Sequence, residues 1–270
     1  MRRERGRGIV SSIGPGTWAK ARTRYYRSRY RNFVTWGVGV QVRGRLRLRG
    51  PGRIVIGDDC VLGAGPYGTA IEAATATATV RIGDGSAING LYVVATDDVT
   101  IGAGVDIAGR LHFDGSGRLR IGDGCKFDSS NAIHAVDPNV TVSIGDECYV
   151  NGLDVVATED VTIGSRCIIG DCSMVTTDYH SAGVDRWSPD APVKAGRITV
   201  GSNVWIAANV VVTKNVSIGD NPVVSIGTIV RDDVPANVVV SSHVQRVVQE
   251  LESPSPLPRS TWPTWWQRPQ

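Results

Sequence analysis

An aliphatic residue followed by glycine recurs at Ile56, Ile82, Ile101, Ile121, Ile144, Ile163, Val200 and Ile218, at spacings of 26, 19, 20, 23, 19, 37 and 18 residues. The spacings cluster near 18 or 19, and 37 is close to twice that. A finer step runs inside each repeat: IGSRCI leads into IGDCSM, and VGSNVW into IAANVV, hexads with an aliphatic first residue and a small fifth one. Three hexads make one 18-residue rung of a three-sided coil, whose aliphatic residues are buried only when the next rung stacks on them. The pattern therefore predicts an all-β, parallel β-helix of hexapeptide repeats over residues 38–230, entered through the apolar–basic alternation of QVRGRLRLRG.

A longer repeat supports the stacking: Ile82–Gly102 and Ile144–Gly164 agree at 15 of 21 positions. Four of the five cysteines, Cys60, Cys125, Cys148 and Cys167, stand at the same place in IGDDC, IGDGC, IGDEC and IGSRC. That placement predicts inward, unreactive side chains rather than a disulfide framework. Cys172 breaks the register and is read as a reduced thiol at or near the surface. GAGPYG at 63–68 matches a dinucleotide fingerprint by letter only, because no helix follows it and Pro66 interrupts it.

Charge is unevenly placed. Residues 1–50 carry 14 Lys and Arg against one acid, whereas the remaining 220 carry 15 bases and 25 acids. Residues 1–37 read as a basic arm in which Arg22, Arg24, Arg27, Arg29 and Arg31 alternate with tyrosines. Two roles are open for it: contact with an anionic partner, or neutralisation of the acidic body of its own or a neighbouring subunit. Residues 231–252 read as a terminal turn and a capping helix, from the spacing of Val244, Val247, Val248 and Leu251. The tail at 253–270 is rich in Pro and Trp. No apolar run approaches the roughly 20 residues of a membrane span, and no apolar segment follows the N-terminal arginines. A cytoplasmic setting is expected.

His180 closes the regular rung VTIGSRCIIGDCSMVTTDYH and precedes the longest insertion, residues 181–197, which accounts for the doubled spacing. An imidazole titrating near neutrality beside a loop thrown out from a rigid coil is a general-base candidate, with a solvated loop histidine as the alternative. Asp178, Glu159 and Asp160 are the acids available to orient it. His112, His134 and His243 show no paired metal-ligand spacing, so no metal is expected.

Residues 144–248 resemble the maltose and galactoside O-acetyltransferases and the polysaccharide O-acetyltransferases of the left-handed β-helix superfamily. The resemblance rests on VTIGSRCIIGDCSMVTTDYH, ITVGSNVWIAANV, TIVRDDVPANVVV and QRVVQEL. It implies a left-handed coil, acetyl-CoA as co-substrate, a sugar or polyol hydroxyl as acceptor, and a homotrimer with its sites between coils. It also implies His180 as general base, Asn151 as oxyanion donor, Trp205 lining the acceptor and pantetheine channel, and Arg231 and Arg246 as contacts to CoA. The chain departs from the family at Ser225–Thr228, Asp232 and Ser242–Arg246, which stand where the family's donor-binding turns lie. Two other functions stay open: acyl transfer from another CoA or carrier-protein thioester to an amine or hydroxyl, and a non-catalytic scaffold that binds partners through the arm and tail.

Overall fold

The structure is a computed structural model that describes residues 15–184, 188, 190–241 and 247–250. The coil climbs through three parallel sheets, each receiving one strand per rung. Sheet one runs from Val34–Trp36 to Val216–Ile218, and sheet three from Leu46–Arg49 to Ile229–Val230. Sheet two runs from Gln41–Val42 to Val238–Val240. Nine complete rungs and part of a tenth result. The β-helix of hexapeptide repeats predicted from the spacing is the architecture found.

The register explains the repeat. The eight aliphatic positions from Ile56 to Ile218 stand directly above one another in sheet one, all within a continuous buried column. The glycine after each turns a corner where the rungs approach too closely for a side chain. A Cβ on Gly164 would lie 2.6 Å from the Gly201 carbonyl carbon of the next rung. The residue after the glycine completes a ladder. The backbone N–H of Asp58 donates to Asp84 Oδ1 at 2.8 Å, that of Asp123 to Asp146 Oδ1 at 2.8 Å, and that of Ser202 to Asp220 Oδ1 at 2.7 Å. Short polar side chains here satisfy backbone donors that the corner leaves unpaired. The predicted cysteine position also holds. Cys125 and Cys148 are buried, and their thiols donate to Gly145 O at 3.0 Å and Gly164 O at 3.1 Å on the following rung.

The basic arm contains the helix α1, Pro15–Arg29, followed by Val34–Trp36, already the first coil strand. α1 packs on the first strand of sheet two. Thr23 Oγ1 accepts the N–H of Val42 at 2.9 Å, and Tyr26 Oη accepts that of Leu46 at 3.4 Å. Arg22 and Arg27 donate to the carbonyls of Arg43 and Gly37. An open strand edge invites pairing with other chains, and a helix laid over it removes the invitation.

The capping helix expected near the C-terminus is a correction. Val247–Glu250 form a strand, paired antiparallel with Val238–Val240. β-branched Val247 and Val248 suit a strand, and the last strand of sheet two offers an unpaired edge; together these outweigh the helical spacing. Residues 242–246 and the tail at 253–270 lie outside the described residues. Among the described residues no helix is long and apolar enough to cross a membrane.

Candidate functional site

The inserted loop leaves sheet three after the strand Cys172–Val175 and is tied at its base. Thr177 and Ala195 form an antiparallel bridge, Asp178 N–H donates to Lys194 O at 3.0 Å, and Gly196 N–H to Thr176 O at 2.8 Å. Thr176, fully buried, accepts the N–H groups of Thr158 and Glu159 at 2.8 and 3.2 Å. The loop therefore leaves the coil from a fixed root. Tyr179 takes a left-handed backbone, φ 58°, which sends the chain sharply round. His180 follows it, its ring exposed and its N–H donating to Asp178 O at 2.6 Å. Burial, and then the charge of Asp154, push the Tyr179 phenol up from its ordinary value. Asp154 lies on the outward face of the sheet-three strand Leu153–Ala157, which begins two residues after Asn151.

None of the three acids expected to orient His180 bonds its imidazole. The Asp178 carboxylate is held by the Lys214 ammonium, Asp160 Oδ1 accepts the Thr141 N–H at 2.8 Å, and Glu159 is exposed. Lys214 is the residue the sequence reading missed. The chain turns there on Asn215, φ 58°, a residue that tolerates the left-handed backbone of a tight corner. The strands Cys172–Val175, Val210–Thr213 and Ile229–Val230 are neighbours in sheet three. His180, Lys214 and Arg231 thus follow successive rungs on one side of the coil, with Lys214 paired to Asp178.

Asn151 ends the sheet-two strand Tyr149–Asn151 and differs from Asn89, its counterpart in the earlier repeat, and from Asn131 on the neighbouring sheet-three strand. Asn89 Oδ1 accepts the Ala64 N–H at 3.0 Å. Asn131 spends its amide on Arg110 O and Asp128 O as donor, and on the N–H groups of Gly152 and Leu153 as acceptor. Asn151 Oδ1 is buried without a partner among the described residues. Trp205 lies farther along the same sheet, in register between Ile168 and Val223, its ring outward and 51% exposed. Ile168 beside it is also exposed, so an apolar strip runs up this face. Arg231 is exposed and Arg246 lies outside the described residues, so the structure places only one of the two arginines named for CoA.

Cys172 corrects its reading as a thiol at or near the surface. It points inward between Leu153 and Val210 and is buried. Burial, with a smaller contribution from Asp171, pushes its thiol up to about 12; burial also pushes up Cys60. All five cysteines are free and buried. The native protein at pH 8 is therefore expected to consume no thiol reagent within minutes, and to release five thiols per chain in denaturant. Because the folded-state values of Cys60 and Cys172 lie above the ordinary 9.0, these two thiols leave stability unchanged below about pH 9. It falls above that, as the unfolded thiols ionise and the buried ones do not. A urea midpoint that stays flat between pH 8 and 10.5 would contradict this.

Fold and site together define a hexapeptide-repeat β-helix carrying a histidine-bearing loop beside the Lys214–Asp178 ion pair. No family model matches the chain. It is similar to the galactoside O-acetyltransferase of Escherichia coli K12, at 34% identity over 111 residues, 41% of this chain and 54% of that protein. It is also similar to a putative colanic acid biosynthesis acetyltransferase, WcaF, of the same organism. There the identity is 30% over 110 residues, 40% of this chain and 58% of that one. The chain spans about half the length of the curated relatives it matches. Among solved structures, the polySia-specific acetyltransferase NeuO aligns with 85% of this chain and 91% of its own, at 21% identity and a TM-score of 0.47.

Proposed function

We propose that this chain transfers an acetyl group from acetyl-CoA to a hydroxyl of a saccharide acceptor. The observation that carries the reading is the 34% identity to a galactoside O-acetyltransferase, taken with an exposed histidine on a loop with a fixed root. His180 takes the proton of the acceptor hydroxyl as its oxygen attacks the thioester carbonyl. The C–O bond forms, the C–S bond breaks, and the proton passes from His180 to the departing sulfur. Asn151 suits an oxyanion donor, because its amide has a polar end that no corner backbone group uses. A half-turn of the side chain brings its NH₂ to that place.

The residues also fit the donor. The strip around Trp205 offers an apolar path to its pantetheine arm, and exposed Arg231 is the arginine the resemblance assigns to CoA. The reading includes a homotrimer with the site between neighbouring coils, which agrees with the outward-facing Trp205 and Ile168. Five unpaired thiols agree with a cytoplasmic setting.

The full-length chain, mixed with acetyl-CoA and a panel of mono- and oligosaccharides, is expected to release free thiol only when an acceptor is present. An absence of thiol release with every acceptor, together with no rise in melting temperature on adding CoA, would remove the reading.

A further inference from the structure

A cleft of about 790 Å³ opens on the outward face of sheet three, several rungs before the His180 loop. Its volume falls within the roughly 300–1,000 Å³ of small-ligand sites. Two features of the sequence build it. The first is the basic half of QVRGRLRLRG, whose alternation turns Arg45 and Arg47 outward while Leu46 and Leu48 are buried. The second is the segment 63–68, a six-residue corner between the strands Val61–Leu62 and Thr69–Ala73. The next rung crosses the same corner with two residues, Asn89 and Gly90. The longer corner carries Tyr67 out as a wall.

The lining is chemically specific. Tyr67 and Tyr92 are 57% and 49% exposed, each presenting a ring to the cleft. The Arg110 guanidinium lies 5.5 Å from the centre of the Tyr67 ring, and Tyr92 meets His112 edge to face at 4.8 Å. Asp114 Oδ2 lies 3.2 Å from His112 Nε2, and its other oxygen contacts His134. Arg45, Arg47 and Arg110 make no ion pair among the described residues; the five pairs formed there, two of them at Asp114 beside the cleft, leave these three arginines out. Three uncompensated guanidinium groups thus share one face with two exposed phenol rings, on a body otherwise rich in acids.

The cleft is also aligned with the candidate site. Arg47, Ala70, Tyr92, His112, Ala132, Asp154 and Ser173 occupy one outward column of sheet three. Three rungs separate His112 from Ser173, about 14 Å at the usual strand spacing, and Asp154 is the residue whose charge acts on Tyr179. A ligand in the cleft that extends along this column reaches the His180 loop.

We infer that this cleft binds an acidic saccharide, its carboxylate on Arg45, Arg47 or Arg110 and its sugar rings against Tyr67 and Tyr92. Guanidinium forks match a carboxylate in two parallel hydrogen bonds. A tyrosine offers an apolar face and a polar rim to a ring that has both. The binding stands apart from acetyl transfer; that the bound saccharide is the acceptor chain rests on the function proposed above.

The test is calorimetric titration of the full-length protein with trigalacturonic acid, using maltotriose as the neutral control of equal length. The acidic trisaccharide is expected to bind at least ten-fold more tightly than the neutral one. Arg47→Ala/Arg110→Ala and Tyr92→Ala should each weaken it ten-fold or more without lowering the melting temperature, since all three side chains are exposed. His180→Ala should bind it as the wild type does, so that loss of transfer and loss of this site are read separately. Equal affinity for the two trisaccharides, or no binding of either, overturns the inference. Displacement of the acidic trisaccharide by CoA also overturns it, by making the cleft a donor site. Tighter binding of an oligonucleotide of equal charge overturns it in favour of nucleic acid.

Discussion

His180→Ala is expected to lower acetyl-CoA-dependent thiol release, with a responsive acceptor present, by about 10²–10⁴-fold, the usual contribution of a positioned general base. The fall should appear in kcat and in kcat/KM alike, because proton removal is an interaction of the transition state. Folding should be untouched. The His180 ring is exposed and only its backbone N–H is engaged, with Asp178 O, so the melting temperature is expected to stay within about a degree. A companion change separates base from orientation. Asp178 is held by Lys214 rather than by the imidazole, so Asp178→Asn should cost far less than His180→Ala. If His180→Ala retains more than a tenth of the wild-type rate, the histidine is a loop residue and the base lies elsewhere.

The second large effect concerns the coil itself. Phe127 is fully buried in sheet two, between Ile107 and Val150 in register, and Phe113 is fully buried in sheet three on the rung before it. Phe127→Ala is expected to destabilise the fold by about 3–5 kcal/mol, as the lost transfer energy and the residual cavity add. For a chain of this size that corresponds to a fall in Tm of roughly 6–20 °C. In a coil each rung touches only its neighbours, so the loss is expected to open the middle rungs first and to broaden the urea transition. Hydrogen exchange should show protection falling around residues 107–150 before it falls at Ile206 or Val224. A shift below about 1 kcal/mol would mean that the interior repacks around the gap.

The sequence determined the coil because its interactions are short-range and periodic. An aliphatic residue at the start of each repeat, Gly after it and, except at Ala103, a short acid or Ser third are each set by contact with the next rung. The same three-residue phrase therefore records the same geometry every time it occurs. The inward Cys60, Cys125, Cys148 and Cys167 were legible on the same ground. Cys172 was not: it sits in a different strand, where only the register shows that it points inward.

The ends and the site depended on contacts that no period encodes. Helical spacing at Val244–Leu251 lost to the free edge of sheet two at Val238–Val240, and the capping helix is at the other end, where Thr23 and Tyr26 close the first strands. His180 could be picked out as the residue before a doubled spacing. Its surroundings could not, because Lys214 is 34 residues away along the chain and reaches Asp178 only through the stacking of adjacent rungs. Asn89 and Asn151 are identical in a local alignment. They separate only when their amide partners are followed, one satisfied by Ala64 and the other left with a buried oxygen unpaired. The cleft beside Tyr92 was hidden for the same reason: Arg47, Tyr92 and Arg110 become one surface only when the coil brings every third strand into one sheet. Sequence fixes what repeats from rung to rung; stacking alone decides which of the singular residues meet.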